Sequence, residues 1–390
     1  MKIGYIRKGL DINFFDNKKK DLGIYDRTRV IKSMIEQGHD VVLLSPLSST
    51  DEKLKSYKTL IEPPDWFKKL EYRKRFKFEK KDFEDIDILF IENGPDNTLF
   101  SYKNKSYFRI MCESLDLWEG KVIYWQHSPV LSFPFGEYFS ERSIENINEN
   151  NIRYLLKTYD IFKDKEWLIL HHSLNEKRWK ELVYCRAGYR YKDIEELVDL
   201  KFRFIPYAYE PEDDPWLGPS YGEKWELVWI GGRYSSSSGY GSSSMSDRYP
   251  SIKEYFENIP YRTAIIGQNW EGIKNINNLG YIGKVGDGWK LYNKGLVGLW
   301  TDSQFVKESG FMTQRPFEVI QSGNLLLGVE GFYGIEKYVN KDYIISSKKE
   351  LIELIEWYKD LSNEEKNEIR IKQISKFDKW SDIKWKEVIK

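Results

Sequence analysis

Two cysteines and four histidines among 390 residues leave little material for a metal centre or a disulfide framework. Cys112 and Cys185 have no zinc-ligand spacing, and so few thiols fit a reducing compartment. Two of the histidines are the neighbours His171 and His172, and no HxxxH or similar ligand cluster occurs. No run of eighteen apolar residues exists, which argues against a transmembrane helix and a membrane partner. An excess of one charge is also missing. Lys+Arg and Asp+Glu stand at 61 each, so whole-chain charge speaks neither for nor against nucleic acid. Met1-Lys-Ile-Gly-Tyr-Ile reads directly as a strand, with no signal-peptide pattern ahead of it. Few alanines and many Lys, Ile, Asn and Tyr suggest translation of an AT-rich genome.

What is present is an alternation of apolar strands and amphipathic helices. The length accommodates two α/β domains of ordinary size, each with its own core. Residues 2–6 form a short strand. Asp26 to Gln37 carries Val30, Ile31, Met34 and Ile35 at a helical period and stops at Gly38, and Val41–Leu44 is a buried strand. Further strands are expected at 86–91, 121–125, 167–170 and 202–205. The acidic, proline-containing stretch Glu210–Pro219 reads as a hinge. Beyond it, strands are expected at 227–230, 263–266, 280–285, 295–300 and 325–329, with a helical tail from Lys348. Such β–α alternation predicts parallel, doubly wound sheets, which bind ligands at the carboxyl ends of their strands. The expected division is 1–209, 210–370, and a C-terminal helix over 371–390 that packs back on the first domain.

Charge is unevenly distributed along this frame. Between Lys53 and Lys81 lies a basic segment rich in rings, including Trp66-Phe-Lys-Lys-Leu-Glu-Tyr-Arg-Lys-Arg-Phe-Lys-Phe-Glu-Lys-Lys81. Interleaved cations and aromatics can grip a phosphate backbone and stack on bases. A solvated helix or edge strand whose Lys stems cover apolar surface reads the same way.

Three motifs in the second half carry chemistry. In Met312-Thr-Gln-Arg-Pro-Phe-Glu-Val-Ile-Gln-Ser-Gly323, a helix start precedes a glycine stop and a buried strand. Arg315 and Glu318, three apart, project from neighbouring points of one helix face. A guanidinium there can fork onto phosphate oxygens, and a carboxylate can accept ribose hydroxyls; a plain surface ion pair is the other reading. After the strand at 227–230, Gly231-Gly-Arg-Tyr-Ser-Ser-Ser-Ser-Gly-Tyr-Gly-Ser-Ser-Ser-Met-Ser-Asp-Arg248 could cradle an anion with backbone N–H groups and hydroxyls, or be a surface loop. It is neither a Walker A motif nor a clean GxGxxG. Gly283-Lys-Val-Gly-Asp-Gly288 is a turn able to present main-chain groups to a base edge.

The order of these pieces resembles the DNA β-glucosyltransferases of T-even bacteriophages, two-domain GT-B glycosyltransferases. The likeness rests on Ile230-Gly-Gly-Arg233, Gly283-Lys-Val285, Arg315 with Glu318, and the tail from Asn340 to Ile352 with its following helix. In the first half it rests on Met1-Lys-Ile and on Asp26 to Ser45. The resemblance implies an α/β GT-B fold, with two Rossmann-like doubly wound domains facing across an interdomain cleft. It implies a UDP-sugar donor, with UDP-glucose expected, held by the second domain. Gly232 would lie against the nucleotide, Arg233, Arg248 and Arg315 would meet phosphate, Val285 would offer its backbone to uracil, and Glu318 would take the ribose hydroxyls. The family stabilises the leaving UDP with Arg and N–H groups, so no metal is strictly required.

The same resemblance implies that the first domain holds the acceptor and the base. Asp26 falls where the family has a helix-start Glu. The family's catalytic aspartate is replaced here by Gln126-His-Ser-Pro-Val, which leaves His127, Asp26 and Asp96 as candidates for the base. The implied activity is transfer of a hexose to hydroxymethylated pyrimidines in double-stranded phage DNA by direct displacement, from a monomer in the host cytoplasm. A GT-B enzyme with a glycan, lipid or small-molecule acceptor, and a non-catalytic nucleotide-sugar-binding protein, are the alternatives.

Overall fold

The computed structural model describes residues 1–6, 22–46, 65–75, 77–93, 115–126, 165–183, 191–193, 195, 200–209, 224–232, 247–267, 269–279 and 292–390. Two parallel sheets organise them. The first contains β1 (Lys2–Ile6), β2 (Asp40–Pro46), β3 (Glu71–Arg75), β4 (Ile88–Asn93), β5 (Lys121–Gln126), β6 (Trp167–His171) and β7 (Leu200–Phe204), in the order β3-β2-β1-β4-β5-β6-β7. The second contains β8 (Trp225–Ile230), β9 (Thr263–Ile266), β10 (Asn277–Asn278), β11 (Gly295–Trp300), β12 (Leu325–Val329) and β13 (Ile344–Ile345), in the order β10-β9-β8-β11-β12-β13. All pairings within both sheets are parallel. Strand order reverses between β1 and β4 in the first sheet and between β8 and β11 in the second. Those reversals open crevices at the carboxyl ends of the strands.

The central strands are buried on both faces, as parallel strands covered by helices must be. Trp125, Trp167, Trp229 and Trp300 are among the largest enclosed side chains. The helices are α1 (Leu22–Glu36), α2 (Asp65–Lys68), α3 (Glu176–Leu182), α4 (Tyr249–Phe256), α5 (Gln304–Ser309), α6 (Arg315–Gln321), α7 (Lys348–Asp360), α8 (Asn363–Ile374) and α9 (Trp385–Val388). Both tail helices begin with an anchored cap. Ser347 accepts from the Glu350 N–H, and Ser362 and Glu365 form a reciprocal capping box.

Several elements depart from the sequence expectation. α1 begins at Leu22, a turn earlier than Asp26, so Asp26 lies inside the helix and not at its start. The basic segment supplies β3 at the edge of the first sheet, where its cations are matched by nearby carboxylates. Arg73 bonds both oxygens of Asp85, at 2.8 Å each, and Arg75 reaches Asp82 at 3.0 Å. The tail is not one helix over 371–390. α8 stops at Ile374, and residues 380–389 form a 3-10 turn and the short α9. Trp380, Ile383, Trp385 and Ile389 there must face the first sheet's core, which a continuous helix leaving the second sheet would not permit. Trp380 and Trp385 are fully enclosed among Ile3, Ile31, Phe90 and Trp125. Ser33 of α1 and Gln37 just after it fasten this segment through the Trp380 and Ile383 carbonyls, at 2.6 and 2.7 Å.

The two lobes meet along a backbone seam. Ser173, just after β6, forms an antiparallel bridge with Phe311, and the Leu174 and Asn175 N–H groups donate to Gly310 and Ser309 carbonyls at 3.1 Å each. Arg178 of α3 donates through Nε to Glu308 of α5 at 2.9 Å. His172 sits beneath the seam. Its Nε2 accepts from Trp125 Nε1 at 3.0 Å, which places its proton on Nδ1 towards the Ile205 carbonyl, also at 3.0 Å. Burial holds that imidazole neutral and pushes its pKa down to about 3.

Candidate functional site

The crevice between β8 and β11 gathers the polar groups of the second lobe. α6 follows β11 through a short helix and returns over it. Gly298 lets this happen: a Cβ at that position would stand 2.7 Å from Val319 of α6. With the helix seated so close, Arg315 at its first position reaches back across the ends of both strands. Pro316 suits the first turn, where no amide donor is needed.

Arg315 is buried and three kinds of contact fix it. Nε donates to the Ile230 carbonyl at 3.1 Å, Nη1 donates to Asp302 Oδ2 at 2.7 Å, and the guanidinium lies over the Trp229 ring 4.5 Å from its centroid. Arg248, preceding α4, donates through Nε to the other Asp302 oxygen at 2.6 Å and through Nη1 to the Gly232 carbonyl at 3.1 Å. The Ser303 N–H adds a bond to Asp302 Oδ1 at 2.8 Å. Burial pushes the Asp302 carboxyl up, but the Arg248 and Arg315 charges outweigh it and hold the pKa down at about 2. The carboxylate is therefore ionised, with one anion between two cations.

The Ile230-Gly231-Gly232 turn is bound from behind. Ile230 N–H donates to the Tyr292 hydroxyl at 3.2 Å and Gly231 N–H to the Ile266 carbonyl at 2.8 Å. The three successive carbonyls are taken by donors: Ile230 by Arg315, Gly231 by Trp270 Nε1 at 2.8 Å, and Gly232 by Arg248. Gly231 and Gly267 both have positive φ, at 155° and 148°. A Cβ on Gly267 would fall 2.0 Å from the Gly231 oxygen, so the two turns touch backbone to backbone. Carbonyl oxygens engaged in this way no longer repel an anion in the crevice. No described residue accepts a hydrogen bond from the Gly232 N–H. Two guanidiniums and a backbone turn with its acceptors occupied make a site suited to a phosphate or diphosphate.

Glu318, one turn after Arg315, is half-buried and accepts from Gln314 Nε2 at 2.8 Å. Gln314 in turn accepts from the Tyr207 hydroxyl of the first lobe at 3.3 Å. Of the residues expected from sequence, Gly232, Arg248, Arg315 and Glu318 are described, and the first three converge within hydrogen-bonding reach of one another or of Asp302. Arg233 and Val285 lie outside the described residues, as do His127 and Asp96. Asp26 lies in α1, where only its helical backbone is described. At the first sheet's own reversal, Tyr5 donates to the buried Glu92 at 2.7 Å. Asp302, Trp229, Trp270, Tyr292 and Gln314 were missed. For Asp302 a signal existed: Thr301-Asp-Ser303 directly follows a strand of the second half.

A cavity of about 730 Å³ opens beside the seam, with Asn175 and Arg178 on one lobe and Glu308, Tyr333 and Lys337 on the other. It shares no residue with the Arg248–Asp302–Arg315 cluster. Among the described residues no group of His, Cys, Asp and Glu could hold a metal ion, and no helix is long and apolar enough to cross a membrane.

No family model matches the sequence, and the comparison with curated proteins found no match. Solved structures do match. A T4 phage β-glucosyltransferase structure aligns with 100% of this chain and 99% of its own, with a TM-score of 0.60 and 15% identity. The same T4 phage enzyme with UDP and Mn²⁺ gives 0.61 and 16%, over 100% and 99% of the two chains. An α-glucosyltransferase bound to UDP and a 13-mer DNA gives 0.53 and 13%, again over 100% and 99%. At such identities the likeness speaks for architecture, and that architecture is GT-B, with two Rossmann-like α/β lobes.

Proposed function

We propose that this chain is a UDP-sugar-dependent glycosyltransferase that moves a hexose, glucose in the first instance, onto hydroxymethylated pyrimidines of double-stranded DNA. The observation that carries the reading is the crevice at β8 and β11, where Arg248 and Arg315 flank a glycine turn whose carbonyls are all hydrogen-bonded. In this reading residues 210–370 hold the donor. Arg233, Arg248 and Arg315 take the diphosphate with Gly232 close against it, Glu318 takes the ribose hydroxyls, and Val285 meets the uracil edge. The same cations stabilise UDP as it leaves, which is where charge develops. Residues 1–209 hold the acceptor, with the target base turned out of its duplex to reach the donor. His127, Asp26 or Asp96 removes the hydroxyl proton, and the oxygen attacks the anomeric carbon in a single inverting displacement.

A second reading keeps the donor and changes the acceptor to a glycan, lipid or small molecule. It is favoured by β3, whose Arg73 and Arg75 are engaged by Asp85 and Asp82 and so offer a weaker electrostatic track for a phosphate backbone. One experiment separates the readings. The protein is incubated with UDP-sugars and with hydroxymethylated or unmodified duplex DNA, with and without chelator, and the digested nucleosides are weighed. A hexose added to hydroxymethyl nucleosides alone is the expected result. UDP-sugar hydrolysis with unchanged nucleosides would select the second reading, and UDP binding without turnover would indicate a non-catalytic protein.

A further inference from the structure

We infer that Asp302 is the positioning residue of the diphosphate site, the single anion that sets the spacing and orientation of Arg248 and Arg315. The inference rests on the donor reading above and adds a residue to it. Asp302 itself cannot meet a substrate. Its side chain is 1% exposed, Oδ1 is taken by Arg248 Nε and the Ser303 N–H, and Oδ2 is taken by Arg315 Nη1. Its two partners come from different elements, one preceding α4 and one opening α6; each also reaches a carbonyl of the Ile230–Gly232 turn, but Asp302 is the one side chain that binds both guanidiniums. The carboxylate, just past the end of β11, lies between them and fixes one edge of each against the other.

Charge alone would argue against placing an anion here. Two guanidiniums without Asp302 would carry +2 towards a diphosphate; with it the cluster carries +1. An anion site built only for attraction would be better without the carboxylate. What the carboxylate supplies is order. Each long arginine side chain has rotamer freedom to lose on binding, and two like charges placed side by side spread apart unless something holds them. Fixed through Nε and one Nη, each guanidinium keeps a defined edge. A nucleoside diphosphate held also at its ribose and base needs those edges in register, whereas a small inorganic anion can settle wherever positive charge is.

The test uses the full-length protein and compares UDP with inorganic pyrophosphate by calorimetry. Wild-type protein is titrated first, and failure to bind UDP would refute the donor reading itself rather than the role of Asp302. With binding in hand, Asp302→Asn is expected to weaken UDP about tenfold or more while pyrophosphate affinity holds or rises. If Asp302→Asn does not fold, as judged by its melting curve, Asp302→Glu keeps the charge and moves it by one methylene. The same loss for UDP with unchanged pyrophosphate is expected there. A folded variant whose two affinities fall together, or in which UDP binding is unchanged or tighter, overturns the inference.

Discussion

At the scale of single residues, the second lobe's chemistry depends on ionised groups that burial alone would disfavour. Arg315→Ala removes one of the two cations facing Asp302 and the cover over Trp229. It is expected to weaken UDP about tenfold or more and to lower stability by roughly 2 kcal/mol, since Asp302 loses one of its two charged partners and keeps only Arg248 and the Ser303 N–H. Calorimetry with UDP and urea denaturation would check the two effects separately. Glu318→Ala should weaken UDP while leaving inorganic pyrophosphate alone, because its proposed partner is the ribose; equal losses for both ligands would refute the ribose role. His172 makes a prediction in pH. Its folded-state pKa lies near 3 against an ordinary 6.5, so the unfolded chain binds the extra proton first as acid is added. Stability from this group is whole above about pH 6.5 and is lost as pH falls from there towards 3, on the order of a few kcal/mol in all. Melting temperatures should fall across that window in wild type, and less steeply in a folded His172→Gln variant.

At the scale of elements, the parallel strands were legible because burial on both faces leaves continuous apolar runs, as in Val41–Leu44 and Leu325–Val329. α1 was legible from its period of Val30, Ile31, Met34 and Ile35, and the end of α6 from Gly323. What could not be read was pairing that depends on distant partners. β3 is a charged strand, and only its place beside β2 and the carboxylates of Asp82 and Asp85 makes it one. β10 and β13 are two residues each, too short to show a period. Arg315, Glu318, Arg248 and Gly232 were readable as residue types at a strand end. Asp302 was not singled out although it directly follows a strand of the second half, because its importance lies in facing two arginines at once, which its place after that strand does not record. The seating of α6 can be tested directly. Gly298→Val would drive side-chain atoms into Val319, and a cost of about 1–3 kcal/mol is expected, with UDP affinity reduced because Arg315 moves with its helix. A variant of full stability and full affinity would show that the close approach does not matter.

At the scale of the whole molecule, the seam of Ser173, Leu174 and Asn175 against Ser309–Phe311 joins the lobes, and Arg178 with Glu308 lies at its exposed side. Tyr207, Gln314 and Glu318 form a chain of hydrogen bonds from the first lobe to the proposed ribose partner. If the lobes shift on donor binding, this chain is where the shift would be felt. Tyr207→Phe should therefore change UDP affinity several-fold without altering pyrophosphate affinity, read in the same titrations. For DNA, the engagement of Arg73 and Arg75 at β3 leads to a different expectation: their neutralisation should cost fold stability more than it costs binding. Salt-dependent DNA affinity of such variants, compared with their melting temperatures, would decide it.

The final stretch of chain has an implication for biosynthesis. Trp380 and Trp385 close a layer begun by Ile3, Phe90 and Trp125, so the amino-terminal half cannot finish its interior until residues 380–389 have been translated. A ribosome pausing anywhere after residue 209 would hold a half-made product with sticky apolar surface on display. Termination before residue 380 should then harm the half of the protein that was made first.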